Sequence, residues 1–241
     1  MSTSLLTLEG VQTHIGAYHI LHGVDLAVPR GQLTMLLGRN GAGKTTTLRT
    51  IMGLWHASQG RVRFGDRDIT AMHTPQIAEL GIAYVPENMG IFSDLTVKEN
   101  MLLAARGAKN VAQIDDTRLK WIFKLFPAVE KFWNHPAGKL SGGQKQMLAV
   151  SRAIVEPREL LLIDEPSKGL APVMINNMID AFAELKASGV TILLVEQNIN
   201  FAQRLGDSVA VMDNGRVVHS GSMAAFSADA QLQQSLLGLA L

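Results

Sequence analysis

The chain has 241 residues, of which 47% are hydrophobic and 18% are charged, and its formal net charge is +1. This composition excludes a largely disordered protein, because a chain of this kind can bury a sizeable core. The sequence contains no cysteine, which excludes disulfide bonds, thiol catalysis and thiolate metal sites. Its 22 Lys and Arg residues form no dense basic run, so we expect no nucleic-acid partner.

The apolar stretches of the sequence are short. Residues 33–37 and 160–163 are among the longest, far below the roughly 20 residues that a membrane-spanning helix needs. The N-terminal sequence MSTSLLTLEG has no basic segment followed by a long apolar one, so it does not resemble a secretory signal. We therefore expect a cytoplasmic protein that does not span a membrane.

The first part of the chain predicts short strands around one helix. Apolar residues alternate at 24–28, and the continuous apolar run at 33–37 is typical of a buried strand. Residues 44–52 have helical periodicity, and residues 61–64 end at a Gly-Asp turn, which indicates an antiparallel strand. The chain therefore begins as a mixed α/β fold.

Residues 88–157 predict a helical lobe inserted into the sheet domain. Segments 101–105, 119–126 and 144–154 each carry apolar residues at three- and four-residue spacing. After residue 157 the helical periodicity gives way to a continuous apolar run, so we expect the sheet to resume there.

The C-terminal part predicts a parallel sheet. A continuous apolar strand at 160–163 is followed by a helix at 173–187 and a second buried strand at 191–195, and this order implies parallel strands. Residues 209–218 predict a hairpin, because their central Asn-Gly accepts the positive φ angles of a tight turn. We expect one α/β domain with three parts: a core formed by 1–87 and 158–222, a helical lobe at 88–157, and a C-terminal helical tail at 223–241.

The strongest motif is a glycine-rich phosphate-binding loop between a strand and a helix. It matches G-x-x-x-x-G-K-[ST], in which glycines let backbone N–H groups face the phosphates, the lysine adds a cation, and the hydroxyl binds Mg²⁺. The alternative is a glycine-rich turn that binds nothing. The predicted ATP-binding residues here are Gly38, Arg39, Asn40, Gly41, Ala42, Gly43, Lys44, Thr45 and Thr46.

A pair of carboxylates, Asp164 and Glu165, ends the buried strand at 160–163. Burial penalises carboxylates unless a cation or hydrogen bonds receive them, so we expect Mg²⁺-nucleotide as their partner. Asp164 would hold Mg²⁺ through water, and Glu165 would orient the attacking water. The alternative is that Asp164 caps the next segment and Glu165 is solvated.

A second anion-binding pattern, Leu-Ser-Gly-Gly-Gln, precedes the predicted helix that ends near residue 154. Its predicted binding residues are Ser141, Gly142, Gly143 and Gln144. Ser141 suits the N-cap, and a helix N-terminus attracts phosphate, although it would also serve as an ordinary cap. Because the chain already has one complete phosphate site, the second suggests that a partner supplies the other half.

With GRNGAGKTT at 38–46, LSGGQ at 140–144 and LLLIDEP at 160–166, the sequence resembles the ABC ATPase family over nearly its whole length. The resemblance implies the P-loop NTPase fold of ABC ATPases, with a mixed, largely parallel core sheet, an antiparallel β subdomain and the helical lobe. It also implies ATP hydrolysis with Mg²⁺, and a pair of such domains that sandwich two ATP molecules between phosphate loop and signature.

Two segments resemble the ATPase subunits of branched-chain amino-acid importers and their relatives for hydrophobic or amide-type solutes. They are EPSKGLAP at 165–172 and LLVEQN at 193–198. This resemblance implies a bacterial importer with a periplasmic solute-binding protein, two permease subunits and a second ATPase subunit, identical or not. The chain would then lie on the cytoplasmic face of the inner membrane.

Three positions depart from the general ABC pattern. Glu87 stands where glutamine usually senses Mg²⁺, which gives Thr45, Glu87 and Asp164 as the expected metal-binding residues. Gln197 replaces the usual histidine and, with Glu165, is the expected catalytic pair. Ala171 replaces an aspartate that links the two subunits, so a slow, regulatory ATPase is an alternative to an active one. A non-transport ABC ATPase is another alternative, but the chain lacks sustained heptads or a second phosphate loop.

Two further expectations concern the adenine base and the permease. Ile15 stands where the family commonly has a tyrosine, so we predict that nearby Tyr18 stacks on adenine, the alternative being a strand residue packed on the sheet. Residues 88–100 should face the permease, with Met89, Ile91 and Phe92 as apolar contacts; alternatively, these three belong to the core of the lobe.

Overall fold

The computed structural model describes residues 4–238. The strands are β1 (Ser4–Ile15), β2 (Tyr18–Pro29), β3 (Leu33–Gly38), β4 (Ala57–Phe64), β5 (Arg67–Asp68), β6 (Ile82–Val85), β7 (Leu160–Asp164), β8 (Thr191–Glu196), β9 (Ser208–Asp213) and β10 (Arg216–Ser222). The helices are α1 (Lys44–Ile51), α2 (Thr74–Glu79), α3 (Val97–Ala104), α4 (Asp116–Leu125), α5 (Pro127–Lys131), α6 (Gly142–Ala153), α7 (Pro172–Ala187), α8 (Ile199–Leu205), α9 (Met223–Ala228) and α10 (Ala230–Leu237).

The strands form two sheets. A four-stranded antiparallel sheet has the order β2-β1-β4-β5, and a six-stranded sheet has the order β10-β9-β3-β8-β7-β6. The pairs from β9 to β6 are parallel, and β10 is antiparallel at one edge. The predicted mixed sheet and antiparallel β subdomain are therefore confirmed.

The six-stranded sheet is apolar on both faces, which explains why its central strands are continuous hydrophobic runs. Successive side chains point to opposite faces. Leu161 and Ile163 of β7 pack in the core that includes the helical lobe, whereas Leu160 and Leu162 pack in the core shared with the antiparallel sheet. One sheet thus separates two cores and presents its strand ends at a common edge.

The helical lobe consists of α3 to α6. Thr96 is the N-cap of α3, and Ser141 is the N-cap of α6. Each forms a capping box, in which the cap hydroxyl accepts the N–H of the third helical residue. Phe126 and Ile122 are fully buried in the same core as β7. The predicted helices of this segment are therefore present, with Ser141 confirmed as an N-cap.

The predicted C-terminal hairpin is β9 and β10. Asn214 and Gly215 both have positive φ, at 45° and 73°, as its tight turn requires. Helix α2 and strand β6 had no sequence prediction. The tail contains α9 and α10, and its last predicted residues, 239–241, lie outside the described residues. Within 4–238, no helix combines the length and apolar character needed to cross a membrane.

Candidate nucleotide-binding site

The phosphate loop lies at the carboxyl end of β3 and leads directly into α1. Gly38, Gly41 and Gly43 have φ angles of 151°, 81° and 104°, which a side chain would strain. A Cβ at Gly38 would come within 2.3 Å of the carbonyl oxygen of Met212, its partner across β3 and β9. Gly38 therefore allows a close approach of backbone to backbone where the loop begins.

Lys44 is the buried cation of the loop. Its Nζ donates to the carbonyl oxygens of Gly38, at 2.8 Å, and Arg39, at 3.1 Å, and lies 3.7 Å from Oε1 of Glu165. Burial lowers the pKa of Lys44, and the nearby carboxylates of Glu165 and Asp164 oppose this effect. The ammonium group is thus held inside the curve of the loop, where an anion would gain most from it.

A cavity of about 790 Å³ opens beside the loop. It is lined by the loop, by Glu196 and Gln197 at the end of β8, by Asp213 and Asn214 in the hairpin turn, and by Leu237 of α10. The cavity is large enough for a nucleotide, since small-molecule sites commonly enclose about 300–1,000 Å³.

Asp164 is fully buried at the end of β7. Thr45 donates its hydroxyl to Oδ1 at 3.1 Å, and Tyr84 donates its hydroxyl to Oδ2 at 3.3 Å. Burial raises the pKa of Asp164, and these two hydrogen bonds oppose it. Burial also raises the pKa of Tyr84 to about 12, so its hydroxyl stays protonated as a donor. Sequence reasoning did not find Tyr84, which reaches the site because β6 pairs with β7.

Glu165 is buried and has a left-handed backbone, with φ 47°, although it is not glycine. Such strain costs about 1–3 kcal/mol and is found mainly at functional sites. Its Oε1 accepts a hydrogen bond from Nε2 of Gln197 at 2.5 Å, and the same nitrogen donates to Oδ1 of Asn40 at 2.8 Å. Gln197 therefore bridges the phosphate loop and Glu165, which brings the two expected catalytic residues together.

Glu87 is among the nearby charges that raise the pKa of Asp164, and it pairs with a lysine. Its Oε1 accepts a hydrogen bond from Nζ of Lys168 at 2.5 Å, and the same Nζ lies 3.5 Å from Oε2 of Glu165. Hydrogen bonding to Glu87 raises the pKa of Lys168. Sequence reasoning missed Lys168 as a site residue; its position within EPSKGLAP was the available signal.

The oxygen ligands at the site fit Mg²⁺ only in part. Thr45 and Asp164 provide a hydroxyl and a carboxylate, the ligand types that Mg²⁺ prefers. Within residues 4–238, no group of three or more His, Cys, Asp or Glu side chains is arranged to hold a metal.

The signature residues lie at the start of α6. Ser141 and Gln144 bond to each other's backbone N–H, and a Cβ at Gly143 would come within 2.6 Å of Met174. Gly142 is open to solvent on the side where a Cβ would point. None of Ser141 to Gln144 lines the phosphate-loop cavity.

Tyr18 begins β2 and is 76% exposed, so it does not pack into either core. It lies directly opposite Ile15 across the first hairpin. The rings of His14 and His19 are stacked, with their centroids 4.1 Å apart, and the ring centroids of His19 and His22 are also 4.1 Å apart. An exposed aromatic ring at this turn is free to stack on a base.

A second cavity, of about 820 Å³, lies between the core and the helical lobe. Its walls are largely apolar and include Met89 and Leu54, and four arginines surround it: Arg49, Arg106, Arg152 and Arg158. Phe92, nearby, is 51% exposed, with the guanidinium of Arg152 5.1 Å from its ring centroid. Met89 and Ile91 are half-buried against the core.

A sequence model described as ABC transporter matches residues 21–168, more than half of the chain. The chain belongs to the ABC transporter family. It is an ATP-binding subunit of an ABC transporter, and it is an ATP hydrolase. The resemblance seen in the three sequence motifs is therefore confirmed.

Among its relatives, the high-affinity branched-chain amino acid transport ATP-binding protein BraG of Pseudomonas aeruginosa is 37% identical over 234 residues, covering 97% of this chain and 100% of that protein. The ADP conformation of an ATP-binding cassette of an ABC transporter superposes with a TM-score of 0.82 at 26% identity, covering 96% and 98% of the two chains. A dimeric bacterial ABC transporter cassette gives a TM-score of 0.80 at 25% identity, covering 90% and 98%. The predicted fold class is confirmed.

Proposed function

We propose that this chain drives a bacterial ABC importer that takes up a small solute, with branched-chain or other hydrophobic amino acids, or a related compound, as the solute class. The observation that carries this proposal is the full-length similarity to BraG, a branched-chain amino acid transport protein. The segments EPSKGLAP and LLVEQN, which resemble the same branch, support it independently of overall identity.

In this proposal the phosphate loop binds ATP, and each part of the site has one task. Lys44 exchanges its contacts with the loop carbonyls for the β/γ-phosphate oxygens. Thr45 and Asp164 would hold Mg²⁺, and Glu87 would be a further oxygen ligand. Bound Mg²⁺ would neutralise charge on the β- and γ-phosphates. Tyr18 stacks on the adenine.

Hydrolysis is assigned to Glu165 and Gln197. Glu165 orients the attacking water and polarises its O–H bond. Gln197 would give up its hydrogen bond to Asn40 or to Glu165 and donate to the γ-phosphate instead, because its NH₂ group has only two hydrogens. The 2.5 Å hydrogen bond between the side chains of Glu165 and Gln197 supports the proposal that both act at the same phosphate. Gln197 carries no charge, so it stabilises the phosphoryl oxygens less than a protonated histidine would.

The site is completed by a second ATPase subunit, identical or not. Ser141 to Gln144 of one subunit would cover ATP held by the phosphate loop of the other. The dimeric cassette of similar fold supports a pairing of this kind. We further propose the division into a core, 1–87 and 158–222, a lobe, 88–157, and a tail, 223–241.

The permease subunits would dock in the arginine-lined groove beside residues 88–100. The apolar walls and the exposed ring of Phe92 suit a short amphipathic helix. In this arrangement the chain lies on the cytoplasmic face of the inner membrane, and a periplasmic binding protein delivers solute from the other side.

The proposal is tested by deleting the gene in its own organism and measuring uptake of radiolabelled leucine, isoleucine, valine and simple amides. Uptake of one of these solutes should fall and should return with the wild-type gene but not with Lys44→Ala. Unchanged uptake of every hydrophobic amino acid and amide, in a strain that makes no other similar subunit, would contradict the solute class.

A further inference from the structure

Glu196 is a buried carboxylate that directly precedes Gln197. It is the last residue of β8, and it is 2% exposed. Burial raises the pKa of its carboxyl, and hydrogen bonds from Ser167, Asn198 and Gln197 oppose this rise. A buried carboxylate is costly unless its oxygens are fully hydrogen-bonded, so its partners indicate what it does for the fold.

The two oxygens of Glu196 receive hydrogen bonds from two different loops. Oε1 accepts the backbone N–H of Ser167 at 2.9 Å, in the loop that follows β7. Oε2 accepts the backbone N–H groups of Gln197 at 3.1 Å and Asn198 at 3.3 Å, in the loop that follows β8. The carboxylate therefore joins the two loops by hydrogen bonds to their main chains.

These two loops carry the proposed catalytic pair. Glu165 lies two residues before Ser167 and has the strained φ of 47°, and Gln197 follows Glu196 directly. Their side chains meet at 2.5 Å. Backbone strain of this kind persists only where the surrounding structure enforces it. Glu196 restrains both the loop that carries Glu165 and the loop that carries Gln197.

We propose that Glu196 is a positioning residue for ATP hydrolysis, fixing the backbones from which Glu165 and Gln197 project. The proposal rests on the roles assigned to those two residues above. Glu196 acts through the main chain of both loops and does not itself touch the phosphate loop's lysine through a hydrogen bond. It should therefore affect the chemical step more than ATP binding.

Glu196→Gln tests this role while keeping side-chain volume. One oxygen becomes an NH₂ group, which then faces a backbone N–H and cannot accept from it. We expect kcat for ATP to fall about 10- to 100-fold, the range seen when supporting residues of a site are lost. The Kd for ATP should change much less than kcat, because the hydrogen bonds of Lys44 to the loop carbonyls of Gly38 and Arg39 do not involve Glu196.

Thr191→Val is the matched control. Thr191 is also buried, lies at the other end of β8, and its hydroxyl likewise accepts a backbone N–H, from Gly31 at 2.9 Å. Both variants lose one buried side-chain to backbone hydrogen bond in the same strand. Thr191→Val should therefore lower the melting temperature comparably but leave kcat near that of the wild type.

Two measurements on the full-length chain decide the matter: ATP hydrolysis, and hydrogen exchange at the amides of Ser167 and Gln197. Glu196→Gln should speed exchange at the amide that the new NH₂ group faces, either Ser167 or Gln197. In a Gln197→Ala background it should lower kcat by much less than in the wild type, because the two losses overlap. The inference is overturned if exchange is unchanged, or if both strand variants lower kcat equally. If the wild type binds ATP but does not hydrolyse it, the proposed catalytic roles of Glu165 and Gln197 fail. The exchange rates still test whether Glu196 restrains the two loops through its hydrogen bonds.

Discussion

Nζ of Lys168 lies 2.5 Å from Oε1 of Glu87. Glu87 occupies the position where ABC ATPases usually carry an uncharged glutamine. The same ammonium group lies 3.5 Å from Oε2 of Glu165. The extra negative charge of Glu87 is thus balanced by a cation on the neighbouring loop. Because Mg²⁺ would compete with this ammonium for the same carboxylate, Lys168 should influence the metal requirement.

Lys168→Met should lower the Mg²⁺ concentration that gives half-maximal ATP hydrolysis. Both partners are partly exposed, so the effect should be modest, about 2- to 5-fold, as is usual for surface ion pairs. Lys168→Arg, which keeps the charge, is the control. The difference should shrink as ionic strength rises. An increased Mg²⁺ requirement in Lys168→Met would show that the lysine assists binding of the metal-nucleotide complex instead.

Glu165→Gln and Lys44→Ala should separate hydrolysis from binding. Glu165→Gln keeps the hydrogen-bonding shape but loses the carboxylate that polarises water, so it should retain ATP binding, abolish turnover and lengthen the lifetime of the ATP-bound dimer. Lys44→Ala removes the buried cation of the loop and should raise the Kd for ATP by at least about 10-fold.

Binding is measured by calorimetry and dimer lifetime by size-exclusion chromatography with ATP. Lys98→Ala, a substitution of an exposed lysine in α3, is the control and should match the wild type in both. Hydrolysis that continues unchanged in both Glu165→Gln and Lys44→Ala would refute the assigned site.

Asp164→Asn should stabilise the protein at neutral pH in the absence of Mg²⁺ and nucleotide. Burial raises the pKa of Asp164 above its ordinary 3.8. The unfolded chain therefore releases this proton at a lower pH than the folded chain, and stability falls as pH rises from about 3.8 through the folded-state pKa. Asparagine has no such proton to release. We expect a melting temperature about 2–4 °C higher at pH 7.5, the shift given by about 1 kcal/mol in a chain of this size.

The gain from Asp164→Asn should disappear below pH 3.8, where the wild-type carboxyl is protonated in both states. Thr45→Val removes the hydroxyl donor to this carboxylate and should lower the melting temperature at pH 7.5, which gives a comparison of opposite sign. A wild-type protein more stable than Asp164→Asn at pH 7.5 would mean that hydrogen bonds to the carboxylate outweigh its burial.

Tyr18→Ala should weaken ATP binding by about 5- to 150-fold, because base-to-aromatic stacking contributes about 1–3 kcal/mol. Tyr18→Phe keeps the ring and should bind ATP as the wild type does. The side chain is largely exposed, so neither substitution should change the melting temperature by more than about 1 °C. Equal affinity of the alanine and phenylalanine variants would assign the adenine contact to another residue.

The sequence predicted those features that depend on neighbours in the chain. The phosphate loop follows from glycines and a lysine at fixed spacing, and the β9–β10 hairpin from one Asn-Gly pair. The central strands followed from continuous apolar runs, because a parallel sheet buries both faces.

The features that were missed depend on contacts between distant segments. Tyr84 reaches Asp164 only because β6, a short and half-buried strand, pairs with β7. Lys168 and Glu87 meet across two loops, and no periodicity links them. Glu196 looked like any residue at a strand end, since its role comes from which backbone N–H groups surround it.

The tight turn at Asn214-Gly215 has a consequence for protein synthesis. Gly215 donates its N–H to Ala42 in the phosphate loop and accepts the N–H of His22 in β2, while Met212 lies beneath Gly38. The phosphate loop is therefore held by residues that the ribosome adds long after the loop itself. A nascent chain that ends before this turn has the complete phosphate-binding sequence but not its supports, so ATP binding should require synthesis to continue through the turn.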